Sequence, residues 1–188
     1  TGTTAFQRAF MGYANKSLSN SLPKHAPFRQ VKKLLPELAT NYESVACVRD
    51  PLETLYSWYR YRRRPSMPNA DRSTAHVSFA EFVEEWCKDE PARFASVNAC
   101  TSFVLDSDGT RHPELRLFRY DCTPTIIDHV AEKRGKPVKV APKNVSPPAS
   151  VNELESVRES ALMQRPRMIE EYRRFNGLEF ANCVAQAI

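Results

Sequence analysis

A short apolar run that ends in an arginine and a proline constrains the fold of this chain more than any other feature. Residues 44–48 read Ser-Val-Ala-Cys-Val, and Arg49, Asp50 and Pro51 follow at once. A short, continuously apolar run between polar neighbours is typical of a buried strand in a parallel sheet. Proline is favoured in the first turn of a helix, where its missing N–H is not needed. The segment therefore predicts a buried strand that turns directly into a helix.

Further apolar runs alternate with helical patterns along the chain. Strands are predicted at 103–105 and 115–120, and helices at 5–15, 28–35, 51 to the arginines before Pro65, 78–88, 124–134, 151–163 and 166–175. This alternation favours an α/β fold with ligands at the carboxyl ends of the strands. We expect a P-loop-like parallel sheet flanked by helices. The length fits a single domain over residues 1–188.

The composition is that of a globular protein, with 41% hydrophobic and 26% charged residues. The sequence lacks the run of about 18 apolar residues that a membrane-spanning helix needs, so no membrane segment is expected. The net charge is +5, and the densest positive patch consists of Arg60, Arg62, Arg63 and Arg64. This patch fits either an anionic partner or a solvated helix end. The five scattered cysteines contain no C-x-x-C pair, which favours reduced thiols over a zinc site or a disulfide framework.

Two segments have the chemistry of anion binding. Thr1-Gly2-Thr3-Thr4 precedes a helical pattern, so its backbone N–H groups and hydroxyls can form an anion nest, although a threonine-capped helix has the same residues. Arg49 leaves the end of a predicted strand, and the Ser57 hydroxyl follows about two helical turns later. A guanidinium that binds bidentately and a nearby hydroxyl suit a terminal phosphate. The alternative is that Asp50 simply caps a helix.

The order of these segments resembles the sulfotransferases that use 3'-phosphoadenosine 5'-phosphosulfate, especially the Golgi-type carbohydrate enzymes and their bacterial relatives. The resemblance rests on TGTT at 1–4, on Lys24-His25-Ala26-Pro27, and on V-R-D-P-x-E-x-x-x-S-x-Y from Val48 to Tyr59. Later landmarks are the segment 78–83, the turn at Asp108-Gly109 and the run 118–121. The match covers most of the chain.

The resemblance implies a role for each matched residue. Thr1, Gly2, Thr3 and Thr4 belong to the loop that binds the 5'-phosphosulfate, and Arg49 and Ser57 bind the 3'-phosphate. The donor is then 3'-phosphoadenosine 5'-phosphosulfate, and the product is adenosine 3',5'-bisphosphate. The family loop usually carries a lysine just before TGTT. This sequence begins at Thr1 and shows neither that lysine nor the strand before it.

Sulfuryl transfer also needs a base for the acceptor proton. The resemblance favours His25 as this base and Lys24 as a neighbour that binds donor or acceptor. His76 is the second candidate, whereas His112 and His129 are interpreted as turn and helix-surface residues. Three more residues are expected near the nucleotide or an anionic acceptor: Arg119, Tyr120 and Lys143.

The expected activity is sulfuryl transfer to a hydroxyl or amine of an acceptor, with carbohydrates among the candidates. No metal is expected, because a sulfuryl group carries less charge than a phosphoryl group and Lys, Arg and backbone donors can stabilise it. Nucleic acid is not an expected partner. The expected compartment is the cytoplasm, with the Golgi lumen as the alternative if an N-terminal anchor has been removed. Two alternative functions remain: a P-loop nucleotide kinase and a noncatalytic polyanion-binding domain.

Overall fold

The structure is a computed structural model that describes residues 26–67, 69–141 and 150–181. Its helices and strands in chain order are α1 (Phe28–Leu34), α2 (Pro36–Asn41), β1 (Ser44–Val48), α3 (Pro51–Arg62), α4 (Phe79–Trp86), β2 (Leu115–Arg119), α5 (Thr123–Arg134), α6 (Val151–Arg158) and α7 (Pro166–Asn176). Short 3-10 turns lie at Ala70–Arg72, Thr101–Phe103, Tyr120–Cys122 and Ala161–Gln164. The fold is therefore a mixture of helices and strands.

The described residues group into two compact units. The sheet unit comprises residues 26–49, 101–141 and 178–181, and the helical unit comprises 50–67, 69–100 and 150–177. The prediction of one domain over residues 1–188 stays a prediction.

A parallel pair of strands forms the centre of the sheet unit. Ser44 lies opposite Leu115, and Val48 lies opposite Arg119. The predicted parallel pairing is confirmed for these two strands. Because parallel strands end at the same edge, Arg49 after β1 and Tyr120 after β2 follow neighbouring strand ends. Helix α5 packs against β2.

Strand β1 is less buried than the sequence predicts. Val48 is buried, but the side chain of Val45 is 37% exposed. In β2, Leu115 and Leu117 are buried on one face, and Arg116 is exposed on the other. The prediction of a buried strand at 44–48 is therefore confirmed for the strand but only partly for its burial.

The predicted strand at 103–105 is also wrong. Residues 101–103 form a 3-10 turn instead. Leu105 makes one isolated antiparallel bridge, to Arg111, around a turn in which Gly109 has a φ of +87°. A left-handed backbone of this kind favours glycine, so the turn prediction holds although the strand does not.

The helical unit is built around an aromatic and aliphatic core. Most of its fully buried members come from α3, α4 and α7, and these include Leu52, Tyr59, Phe79, Phe82, Val83, Trp86 and Met168. Each large apolar side chain that leaves water contributes about 1.5–3 kcal/mol to stability. Helix α4 begins with the predicted capping box, in which Ser78 Oγ accepts from the Glu81 N–H at 3.2 Å and Glu81 Oε2 accepts from the Ser78 N–H at 2.6 Å.

Prolines and glycines set several helix ends. Pro51 begins α3, and Gly135 ends α5 in the left-handed region at a φ of +63°, both as predicted. Pro36 behaves differently from the prediction. It does not only end α1, since it also begins the short helix α2. Proline fits the first turn of a new helix as well as the end of an old one.

Candidate anion-binding residues at the strand ends

Part of the predicted site lies outside the described residues. This holds for the loop at residues 1–4, for Lys24 and His25, and for Lys143. The described candidates are Arg49 in the sheet unit and Ser57 in the helical unit, and each is considered within its own unit.

Arg49 is held against an aromatic ring at the carboxyl end of β1. Its guanidinium carbon lies 3.7 Å from the centre of the Tyr120 ring, a close cation–π contact. The parallel register explains this contact, because Val48 is opposite Arg119 and the next residue of each strand follows. The Nε atom of Arg49 is buried and has no hydrogen-bond partner within the described part of the chain. A buried N–H group without a partner is costly unless a ligand or water binds it.

Asp121, which directly follows Tyr120, is bound by a different arginine. Arg119 Nε and Nη2 donate to the two carboxylate oxygens of Asp121 at 3.0 and 2.7 Å. The hydrogen bond from Arg119 lowers the pKa of Asp121 and outweighs the opposite effect of burial. Asp121 is thus ionised and already paired, so the ring of Tyr120 is the main contact that the structure gives to Arg49.

Cys47 lies one residue before the end of β1 and is not an activated nucleophile. Its Sγ is 3.9 Å from the carbonyl oxygen of Arg119. Burial raises the pKa of this thiol to about 11, and the opposing charge of Arg49 does not compensate. The thiol is therefore protonated at neutral pH, and the chemistry of this edge comes from its cations.

Ser57 lies in the middle of α3, which is fixed at its first turn by Asp50. The Asp50 carboxylate caps the helix by accepting from the Glu53 N–H at 3.0 Å, and the Tyr172 hydroxyl contacts both carboxylate oxygens at 3.0 Å. Burial and the charge of Asp50 raise the pKa of Tyr172. The alternative interpretation of Asp50 as a helix cap is thus correct, and it is compatible with a ligand role for its neighbours.

Two tyrosines on either side of Ser57 share one carboxylate. Glu153 of α6 accepts from the Tyr59 hydroxyl at 3.0 Å and from the Tyr56 hydroxyl at 3.2 Å. Tyr56 also accepts from the Ser150 N–H at 3.0 Å. Burial, followed by the bond to Glu153, raises the pKa of Tyr59 to about 12. These contacts hold the backbone on both sides of Ser57, which is half-buried.

The described histidines differ from their sequence interpretation. His112 does lie beside the turn, but its side chain is 2% exposed, with its ring 5.0 Å from Phe28 and Nε2 3.4 Å from Asp106. His129 was predicted on a helix surface, yet its side chain is only 11% exposed and Nε2 lies 3.1 Å from Glu43. His76 is exposed, with its ring 5.9 Å from that of Phe94. A lone histidine gives no periodic signal, so burial of this kind is set by tertiary contacts.

One arginine of the patch at the end of α3 differs from the sequence interpretation. Arg62 is buried and donates to the carbonyl oxygens of Arg93 and Phe94 at 2.8 Å and of Ser96 at 3.0 Å. The prediction of either a solvated or an anion-binding tetrad is therefore wrong for this member, which is a structural anchor. The helical spacing could have indicated this burial, because Arg62 is three residues after Tyr59 and lies on the same buried face of α3.

Other features bear on the predicted cofactors and compartment. Within the described ranges, no group of three or more His, Cys, Asp or Glu side chains is arranged to hold a metal ion. No helix of the described part is long and apolar enough to span a bilayer. Among the described residues, Cys47, Cys87 and Cys100 are free thiols. The expectation of reduced thiols is confirmed for these three cysteines.

Comparison of the chain with protein-family models, with curated proteins and with solved structures found no match. The functional argument consequently rests on the residues and their geometry.

Proposed function

We propose that this protein is a sulfotransferase that moves a sulfuryl group from 3'-phosphoadenosine 5'-phosphosulfate to an acceptor hydroxyl or amine. The observation that carries the proposal is the Arg49 guanidinium, which is stacked on Tyr120 at a strand end with a buried Nε that has no partner among the described residues. In this proposal the 3'-phosphate accepts from Arg49. A P-loop-like sheet and the loop at residues 1–4 are parts of the same proposal.

Stacking makes Arg49 a prepared phosphate ligand. An exposed arginine loses side-chain entropy when it binds, whereas a guanidinium that already lies flat on a ring has less to lose. The planar group can then donate two parallel hydrogen bonds to phosphate oxygens. The neighbouring Asp121 does not compete, because Arg119 occupies it.

The assignment of Ser57 to the 3'-phosphate comes from the sequence resemblance and stays a prediction; the structure describes Ser57 within the helical unit. Its position on a helix that is capped by Asp50 and flanked by bonded tyrosines keeps its hydroxyl in a constant place relative to α3. Preorganised donors are more effective than mobile ones, since no reorganisation is needed when the ligand binds.

In the reaction, an oxygen or nitrogen of the acceptor attacks the sulfur in line, and the bond from sulfur to the bridging phosphate oxygen breaks. The acceptor proton passes to a base, and adenosine 3',5'-bisphosphate leaves with the charge of the broken bond. His25 is the proposed base and His76 the second candidate. His112 is not proposed for this role, because its side chain is buried beside Phe28 and Asp106.

The compartment stays a prediction, with the cytoplasm expected and the Golgi lumen as the alternative. Disulfides persist in oxidising compartments and are rare in the cytosol, so the redox state of the cysteines separates the two. Mass spectrometry of protein purified without reductant tests this, and a free thiol at Cys122 would favour the cytoplasm.

The decisive experiment compares two nucleotides that differ only in the 3'-phosphate. We expect adenosine 3',5'-bisphosphate to bind at least about tenfold more tightly than adenosine 5'-monophosphate, which corresponds to about 1.4 kcal/mol. Arg49→Met should abolish this preference. Arg116→Met is the matched control, since Arg116 lies on β2 in the same sheet and contacts Glu43 and Phe118 instead.

Two results would overturn the proposal. One is stronger binding of ATP with Mg²⁺ than of the bisphosphate, which would favour a kinase. The other is a wild-type protein that does not distinguish the two nucleotides. For catalysis, His25→Ala should lose sulfuryl transfer from labelled donor to a panel of acceptors while it retains bisphosphate binding. Unchanged turnover in this variant would contradict the role of His25 and favour His76 as the base.

A further inference from the structure

The proposed reaction makes no use of one buried titratable side chain in the sheet unit, that of His112. It directly follows the turn at 106–111, and only 2% of it is exposed. The Nε2 atom of its ring is buried and has no hydrogen-bond partner within the described part of the chain. A buried polar atom without a partner is costly, so this nitrogen requires a physical explanation.

A carboxylate oxygen lies close to this nitrogen without bonding to it. Asp106 Oδ1 is 3.4 Å from His112 Nε2, at the distance of an ion pair. A charged N–H donates to a carboxylate at about 2.7–2.9 Å, so a movement of about 0.5 Å would complete the bond. The Asp106 side chain is 40% exposed and lies at the start of the turn, which leaves room for such a movement.

Two further carboxylates interact with the charge of His112. Hydrogen bonds from Thr110 lower the pKa of Asp108. The hydrogen bond from Lys32 lowers the pKa of Glu114. In both cases the charge of the imidazole adds a smaller effect in the same direction. The interaction is reciprocal, so both carboxylates favour the charged form of His112.

The basic side chains on the neighbouring segments already have acceptors. Three of them are engaged in this way: Arg29 with two carbonyl oxygens of the segment 102–105, Lys32 with Glu114, and Arg111 with Glu179. Burial and these cations oppose a charge on His112, whereas the three carboxylates favour it. Asp106 is the carboxylate within bonding reach.

The imidazole also contacts helix α1. Its ring centre lies 5.0 Å from that of Phe28, with the two rings edge to face at 70°. Phe28 is buried and is the first residue of α1. Arg29 and Lys32 of the same helix bond to residues on either side of the turn. Helix α1 is therefore held on the segment 102–114, and a change at His112 reaches the start of the helix.

We propose that His112 is a pH-sensitive latch between the turn at 106–111 and helix α1. Near neutral pH the uncharged imidazole packs on Phe28 and leaves Nε2 without a partner. On acidification Nε2 carries a proton, Asp106 accepts from it, and the turn closes onto α1. Histidine is the side chain whose ordinary pKa places such a change between about pH 5 and 8.

Helix α1 directly follows the segment 24–27, which contains the proposed base His25. The latch thus gives acidification a route to that segment. This consequence rests on the proposed function, whereas the latch itself does not. A measurement on the latch therefore needs no turnover, and its failure is distinguishable from a failure of the sulfotransferase proposal.

The test is amide hydrogen exchange at about pH 5.5 and 7.5, corrected for the intrinsic exchange rate. Four hydrogen-bonded amides report on the two sides of the latch: Asp106 and Gly109 in the turn, and Gln30 and Val31 in α1. In the wild type we expect their exchange to be at least about threefold slower at the lower pH, because the ion pair adds a contact. His112→Gln should abolish this difference.

The control variant is His129→Gln, which removes the other largely buried histidine of the sheet unit. It should keep the pH dependence at the four amides. Asp106→Asn should reduce the dependence with His112 in place, and it serves as the test if His112→Gln does not fold. Exchange in the wild type that is equal at the two pH values or faster at the lower one would overturn the proposal. So would an undiminished dependence in His112→Gln or in Asp106→Asn.

Discussion

Arg49 in the sheet unit and Arg62 in the helical unit show how differently one residue type is used. Arg62 is buried and donates to three carbonyl oxygens of the segment 93–96. Arg49 lies on the Tyr120 ring, and its buried Nε has no partner among the described residues. The guanidinium of Arg62 thus has its acceptors within the chain, whereas that of Arg49 has a buried donor without an acceptor among the described residues.

The difference teaches that acceptors within reach, more than charge or burial, separate a structural arginine from one that we propose to bind a ligand. The loop after α4 turns its carbonyls toward Arg62, whereas the strand end provides Arg49 with a ring and with an aspartate that is already occupied. Four predictions test this contrast, beginning with the largest expected effect.

Removal of a core ring should damage the helical unit most. Trp86 is almost completely buried, its indole N–H donates to the Val97 carbonyl at 3.1 Å, and Arg167 lies 4.3 Å from its ring centre. Trp86→Ala should lower the free energy of unfolding by about 3–5 kcal/mol, because a large cavity forms. Denaturant unfolding followed by circular dichroism measures this. A loss below about 1 kcal/mol would show that the core is not organised around this residue.

Exchange of each arginine for methionine addresses the contrast directly. Arg62→Met should lower the free energy of unfolding by about 1.5–3 kcal/mol, as expected when hydrogen bonds from a charged group to buried carbonyls are lost. Arg49→Met should change stability little, since its main contact is a cation–π interaction of about 0.5–2 kcal/mol. Thermal unfolding of both variants checks the difference. Equal losses would mean that Arg49 is as structural as Arg62.

Tyr172→Phe removes one hydroxyl from the cap of α3 and keeps the ring. The free energy of unfolding should fall by about 1–2 kcal/mol, because the Asp50 carboxylate loses its phenol partner. Amide hydrogen exchange in residues 51–55 should accelerate more than in α4. Tyr42→Phe is the control, since Tyr42 is exposed. Exchange that is unchanged at the start of α3 would contradict the anchoring role.

The smallest effect is expected from the surface ion pairs of the sheet unit. Glu43 contacts Lys133, His129 and Arg116 at 3.3, 3.1 and 3.4 Å. Burial raises the pKa of Glu43, but the hydrogen bond from Lys133 and the nearby positive charges outweigh it and lower the pKa below the ordinary value. Glu43→Gln should therefore cost less than about 1 kcal/mol at neutral pH.

The sign of the pH effect follows from the lowered pKa. The folded protein binds the Glu43 proton less readily than the unfolded chain does, so the stabilisation is present above the pKa of the unfolded state and is lost as the pH falls through the folded value. The difference between wild type and Glu43→Gln should shrink below about pH 4.5. A difference that grows on acidification would contradict this assignment.

Local pattern alone predicted the elements around the candidate site. The apolar run 44–48, the proline at 51 and the Ser78/Glu81 capping box each specify a neighbouring element through short-range chemistry, and the structure confirms all three. The strand predicted at 103–105 is wrong because a three-residue apolar run is compatible with a strand or a helical turn, and only its neighbours decide. The predicted anion loop and His25 stay predictions, since they lie outside the described residues.

The sequence by itself determined that α3 begins at Pro51, that α4 begins with a capping box, where Arg49 leaves its strand, and that α3 would end in arginines. These properties depend on periodicity, capping and proline, which act within a few residues. Tertiary structure decided that Tyr120 lies beside Arg49, that Arg62 donates to three backbone carbonyls, and that His112 and His129 are largely enclosed. Such outcomes join residues dozens of positions apart, and packing and strand register select them.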